Sequence, residues 1–164
     1  MATDVLVLGY GNDLRGDDGV GRRLAEAVES WGLPGVRAAS LHQLTPEVAD
    51  VISDAGLVVF ADASPRVEKV CLEPVMRQAS TPTGAHQVDP STVLDLAEVV
   101  YDRSPAAWML HLPAEQFELG AALSESARAG LDEALARLRG LIGERASSQP
   151  KVSLTPSDHP AVFT

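Results

Sequence analysis

Apolar positions in the chain follow two rhythms that alternate along its length. Unbroken apolar runs, the pattern of strands covered on both faces, occur at 4–9 (DVLVLG), 57–61 (LVVFA) and 107–112 (WMLHL with the preceding Ala). Val36–Leu41 (VRAASL) reads as a further strand, and 67–76 as an extra, weaker one for which an antiparallel place is open. Between these runs the spacing changes to three and four. Val20, Leu24, Val28 and Trp31 define an amphipathic helix stopped near Gly32 and Pro34. A short helix is expected over 45–53 (TPEVADVIS), with Thr45 as its cap and Pro46 in its first turn. Helical spacing returns over 90–101 through Val93, Leu94, Ala97 and Val100. It recurs over 124–142 through Ala127, Leu131, Leu135, Leu138 and Leu141, with Gly143 as the expected stop.

Strands alternating with helices predict βαβ units. The expected fold is α/β, a three-layer α/β/α arrangement with a twisted, mostly parallel sheet of about five strands and room for one antiparallel strand. Residues 1–143 are expected to form that single domain, since a chain of 164 residues suits one sizeable core. Residues 144–164 carry Ser, Pro and Lys without periodicity and are expected to be a flexible tail.

Charge narrows the company the protein keeps. A formal net charge of -10 opposes a sequence-independent grip on nucleic acid or anionic membranes and favours a protein partner or a cation. The start, MATDVLVLGYG, lacks the basic residues and cleavage site of a secretory signal, and no stretch approaches the roughly 20 apolar residues of a membrane span. A cytoplasmic monomer is expected. The single cysteine, Cys71, excludes an intramolecular disulfide and a multi-cysteine metal site; its apolar surroundings favour a buried small side chain over a nucleophile.

The stretch GYGNDLRGDDGVG (9–21) follows the first apolar run with a glycine-rich turn, which commonly holds phosphate at a helix start. Two adjacent acids, Asp17 and Asp18, argue against that ligand, and Leu14 stands where a dinucleotide fingerprint requires its third glycine. In an open α/β sheet, ligands bind beyond the C-terminal ends of the strands. Asp17 and Asp18 follow the first strand, Asp62 closes the LVVFA strand, and His86 lies in the polar loop before the helix at Pro90. Two carboxylates and an imidazole converging there would suit a borderline divalent metal such as nickel or zinc. Each residue also has a plainer reading: Asp17 or Asp18 as a helix cap, Asp62 as a turn former, His86 as solvated surface. His42 follows the second strand, where it can be surface or a hydrogen-bonding neighbour of the crevice. His111 reads as a core or edge residue, and His159 lies in the tail. Serine-hydrolase, zinc-protease and P-loop signatures are absent from the sequence.

Together, GYGNDLRGDDGVG, VVFADAS and TGAHQVDP resemble the three motifs of the hydrogenase maturation endopeptidases, and HLPAEQFELGAALS with the helix after it is similar to that family's closing segment. The resemblance covers 5 to about 141. It implies a cytoplasmic endopeptidase that removes the C-terminal extension of a nickel-iron hydrogenase large-subunit precursor after nickel insertion. It further implies that the nickel comes with the precursor, that no organic cofactor takes part, and that Asp18, Asp62 and His86 contact the metal. Asp18 and Asp62 are the candidate catalytic residues, and three routes stay open: the metal polarises the carbonyl, the metal activates a water, or a carboxylate such as Asp18 acts as general base. Asn12 and Asp17 match motif positions and are assigned supporting roles in shaping the loop or hydrogen bonding within it. Two departures stand out. Some members have Glu in place of Asp18, and many have a D-G-G-T-x-G turn where this chain has LHQLTPE, which bears on precursor specificity and makes His42 a candidate local feature. Two other hypotheses compete: a non-catalytic metal-binding or chaperone module for the same precursor, and a nucleotide-binding domain.

Overall fold

In a computed structural model, which describes residues 3–77 and 88–148, five strands form one sheet in the order β2-β1-β3-β5-β4. They are β1 (Val5–Tyr10), β2 (Val36–Leu41), β3 (Leu57–Ser64), β4 (Cys71–Pro74) and β5 (Ala106–Pro113). Every neighbouring pair is parallel except β4 with β5, where the weakly patterned segment adds an antiparallel edge. Among the described residues four α-helices flank the sheet: α1 (Val20–Ser30), α2 (Val48–Ser53), α3 (Pro90–Tyr101) and α4 (Glu125–Ser148).

The two faces of the sheet are covered by different helices because the connections run in opposite directions. From β1 the chain moves outward to β2 and then returns past β1 to β3, so right-handed crossovers place the intervening helices on opposite faces. One core joins Val5, Val7, Leu57 and Val59 to Leu24 and Val28 of α1 and Leu138 of α4. The other joins Leu6, Leu8, Val58 and Phe60 to Ile52 of α2 and Leu94 of α3. Alternating residues of the central strands thus feed alternate cores, which is why β1 and β3 are apolar throughout. Among the described residues no helix is long and apolar enough to cross a membrane.

Glycine lets α1 lie close against the strands. A Cβ on Gly21 would stand 2.5 Å from the carbonyl oxygen of Ala61, and one on Gly9 would overlap the carbonyl of Gly21. The helix therefore packs backbone to backbone on β1 and β3, bringing the turn before it to the sheet's C-terminal end.

Three element boundaries differ from the expectation. β3 continues to Ser64 because it pairs with β5 along its full length, so Asp62 lies within the strand and does not close it. The helix expected from Thr45 starts at Val48: the amides of Val48, Ala49 and Asp50 bond three residues back to Thr45, Pro46 and Glu47, a tighter turn that Thr45 does not cap with its side chain. Gly143 does not stop α4, which runs to Ser148, so the expected boundary at 143 falls inside the helix. Ile142 is anchored in the core, and the extra turn carries Arg145, whose Nε donates to Asp4 Oδ1 at 3.0 Å. Residues 149–164, most of the expected tail with His159, lie outside the described residues.

Candidate active site

The connection leaving β1 heads for β2 and the one leaving β3 heads for the opposite edge, so a crevice opens between the C-terminal ends of these neighbours. Asp18 enters it from a short 3-10 turn (Gly16–Gly19) after β1, and Asp62 from β3. Leaving β1, the chain turns at Gly11 with φ 143°, a conformation that favours glycine, and a Cβ there would overlap the carbonyl of Asp18. The Asn12 amide then donates to Asp18 Oδ2 at 2.9 Å, and the Leu14 amide donates to Asn12 Oδ1 at 3.0 Å. Asn12 thereby ties Asp18 to the loop through its backbone and shapes the loop with its side chain.

Asp17 points elsewhere. It is fully buried, and both carboxylate oxygens are engaged by a segment roughly a hundred residues away in sequence. Oδ2 accepts the amides of Glu115 and Gln116 at 2.9 and 3.0 Å and the Ser124 hydroxyl at 2.6 Å; Oδ1 accepts the Ser124 amide at 2.7 Å. Burial acts to raise its pKa, but these four donors outweigh burial and hold the carboxyl below its usual value. The cap reading of Asp17 is corrected: neither the 3-10 turn nor α1 has a side-chain cap, because this carboxylate is committed to the closing loop.

Asp62 is in the opposite electrostatic condition. Its carboxyl is pushed up to about 6, chiefly by burial and also by the charge of Asp18, while the Ala63 amide and His111 pull the other way. Counting by twos explains its company. Leu6, Leu8 and Tyr10, then Val58, Phe60 and Asp62, then Met109 and His111, continue the α2–α3 face of three strands, so Tyr10, Asp62 and His111 form a row across the sheet's end. The Tyr10 hydroxyl donates to Met109 Sδ at 3.9 Å, and its pKa is raised by burial, then by Asp62 and by Asp89. His111 Nε2 lies 2.7 Å from Oε1 of Glu73 on the edge strand. Asp89 caps α3, accepting the amide and hydroxyl of Thr92, both at 2.8 Å.

Asp18 and Asp62 are thus brought to one crevice. His86 lies outside the described residues, and among the described residues no three His, Cys, Asp or Glu side chains converge as a metal site. His42 is exposed just beyond β2, the edge strand on the far side of β1. Cys71 is half-buried on β4, in register with His111. Tyr10, Glu73 and Asp89 were not singled out from the sequence. The period-two count would have found Tyr10, whereas the Glu73–His111 pair depends on where the edge strand joins.

No family model and no curated protein matches the chain. Solved structures do. The hydrogenase maturating endopeptidase HybD from E. coli superposes with a TM-score of 0.70 at 20% identity, over 87% of this chain and 93% of that one. The chain has the fold of the hydrogenase maturation endopeptidases. Two proteases from Thermococcus kodakarensis agree. HybD, described as a [NiFe] hydrogenase maturation protease, has a TM-score of 0.66 at 20% identity over 84% and 98% of the two chains. HycI, described in the same terms, has 0.64 at 21% over 87% and 92%. This endopeptidase fold accounts for the sheet, including its antiparallel pair, and for helices on both sides.

Proposed function

We propose that the protein is an endopeptidase that removes the C-terminal extension of a nickel-iron hydrogenase large-subunit precursor once nickel has been inserted. The observation that carries this reading is the pair of carboxylates, Asp18 and Asp62, at the switch-point crevice of a fold shared with solved hydrogenase maturation proteases. In the proposed reaction the precursor brings its own nickel as part of the substrate. Asp18, Asp62 and His86 engage it, a set of two oxygen ligands and one nitrogen ligand suited to a borderline divalent ion. That contact fixes the neighbouring peptide bond beside the crevice, where proximity supplies much of the acceleration.

Asp62 is best placed to handle the proton. Before the precursor binds, its carboxyl is pushed up to about 6, so it meets the substrate ionised at neutral pH; with one oxygen on the nickel, the other serves as the base. It takes a proton from the attacking water, whose oxygen bonds to the scissile carbonyl carbon. The same proton then passes to the leaving amine as the C–N bond breaks, giving one carboxylate end and one amine end. Asp18 keeps its orientation through the Asn12 amide and contributes negative charge opposite the cationic centre.

Incubation of wild type, Asp62→Asn and His86→Ala with nickel-loaded precursor tests the assignment. Wild type is expected to yield the shortened large subunit and both variants the unprocessed one. Full processing by both variants would remove Asp62 and His86 from the site.

A further inference from the structure

Two exposed leucines stand beside the crevice with no role in the chemistry above. Leu14, in the opening loop, is 68% exposed, and Leu119, in the closing loop, is 76% exposed. They belong to segments far apart in sequence, yet the Gly120 amide donates to the Leu14 carbonyl at 2.8 Å, which brings the two loops together.

The loops are held firmly. Asp17 accepts four hydrogen bonds from the closing loop, and its own amide donates to the Gln116 carbonyl at 2.7 Å. A hydrogen-bonded path also joins the backbone of the leucine loops to Asp18. Asp18 accepts from the Asn12 amide, Asn12 Oδ1 accepts from the Leu14 amide, and the Leu14 carbonyl accepts from Gly120, next to Leu119. The backbone that carries the leucines is therefore tied to the Asp18 carboxylate.

We infer that Leu14 and Leu119 form a docking surface for the folded part of the large-subunit precursor, taking apolar side chains beside the segment that carries the scissile bond. This rests on the proposed function, which requires a protein substrate at Asp18. A site that cuts one bond in one protein needs contacts beyond the metal, and preorganised apolar groups on clamped loops supply them at little entropic cost. Leu14 lies four residues before Asp18 on the same loop, and Leu119 is tied to it through Gly120, so a protein substrate at Asp18 has both leucines as neighbours.

The test measures binding and cutting separately, using the nickel-loaded large-subunit precursor from the same organism. The double variant Leu14→Ser/Leu119→Ser is expected to weaken binding by about tenfold or more, to raise KM in step, and to leave kcat near wild type. Val99→Ser, on an 82% exposed position of α3, is the control and is expected to change neither quantity. Wild-type binding by the double variant would overturn the docking surface while leaving the protease reading intact. Binding that depends on the leucines without any cutting by wild type would overturn the protease reading and keep the surface. If wild type neither binds nor cuts the precursor, both fall. A wild-type dimer that the double variant loses would make the patch an interface between copies, and the inference would be wrong.

Discussion

Asp17 spends both oxygens on the closing loop, and its neighbour Asp18 is left to the crevice. Replacing Asp17 by Ala leaves three amides and a hydroxyl without their acceptor in a buried place. We expect a loss on the order of 3 kcal/mol, seen as a lower urea midpoint with an unchanged slope. A midpoint within error of wild type would show that the loop is held by other means. Asp62 supplies a prediction of opposite sign. Unfolded, its carboxyl titrates near 3.8; folded, near 6. Between those values the folded protein keeps a proton that the unfolded chain has released, so this group's contribution to stability falls as pH rises from about 4 to about 6 and then stays level. Asp62→Asn removes that loss, so its melting temperature should gain on wild type more at pH 8 than at pH 4. An equal offset at both would contradict the buried, proton-holding state.

Elements were legible where one physical rule governs them. Apolar runs located β1 and β3, and the three-four spacing located α1 and α3, because burial on both faces and burial on one stripe leave different patterns. Ends were less legible. The last residues of β3 are strand because β5 pairs with them, and α4 passes Gly143 because Ile142 and Arg145 find partners on both sides of it. Such partners come from distant parts of the chain and leave no local trace. The contact of α1 with the sheet gives a test at this scale. Gly21→Ala sets a methyl against the Ala61 carbonyl and is expected to cost about 1–3 kcal/mol in urea unfolding. It should also reduce processing, since α1 carries the turn that holds Asp18. Wild-type stability would mean that the helix can retreat without strain.

For the whole molecule, the crevice was readable before the fold was known. Strand-helix alternation implies an open sheet, and an open sheet puts its ligands where connections diverge; Asp18 follows β1 there, and Asp62 lies among the last residues of β3. The motif resemblance already separates a supporting Asp17 from Asp18; what could not be read was the partner that Asp17 holds. That partner is the closing loop, whose return also brings Leu119 beside Leu14. The acidic surface, with a net charge of -10, suits a cationic metal centre but does not select one, so the claim rests on the crevice. It is tested most directly by the intact mass of a large-subunit precursor, nickel-loaded or nickel-free, before and after incubation with the wild-type protein. The account predicts that the nickel-loaded precursor alone loses its C-terminal extension in one cut. An unchanged mass in both, with the precursor bound, would mean a chaperone and contradict it.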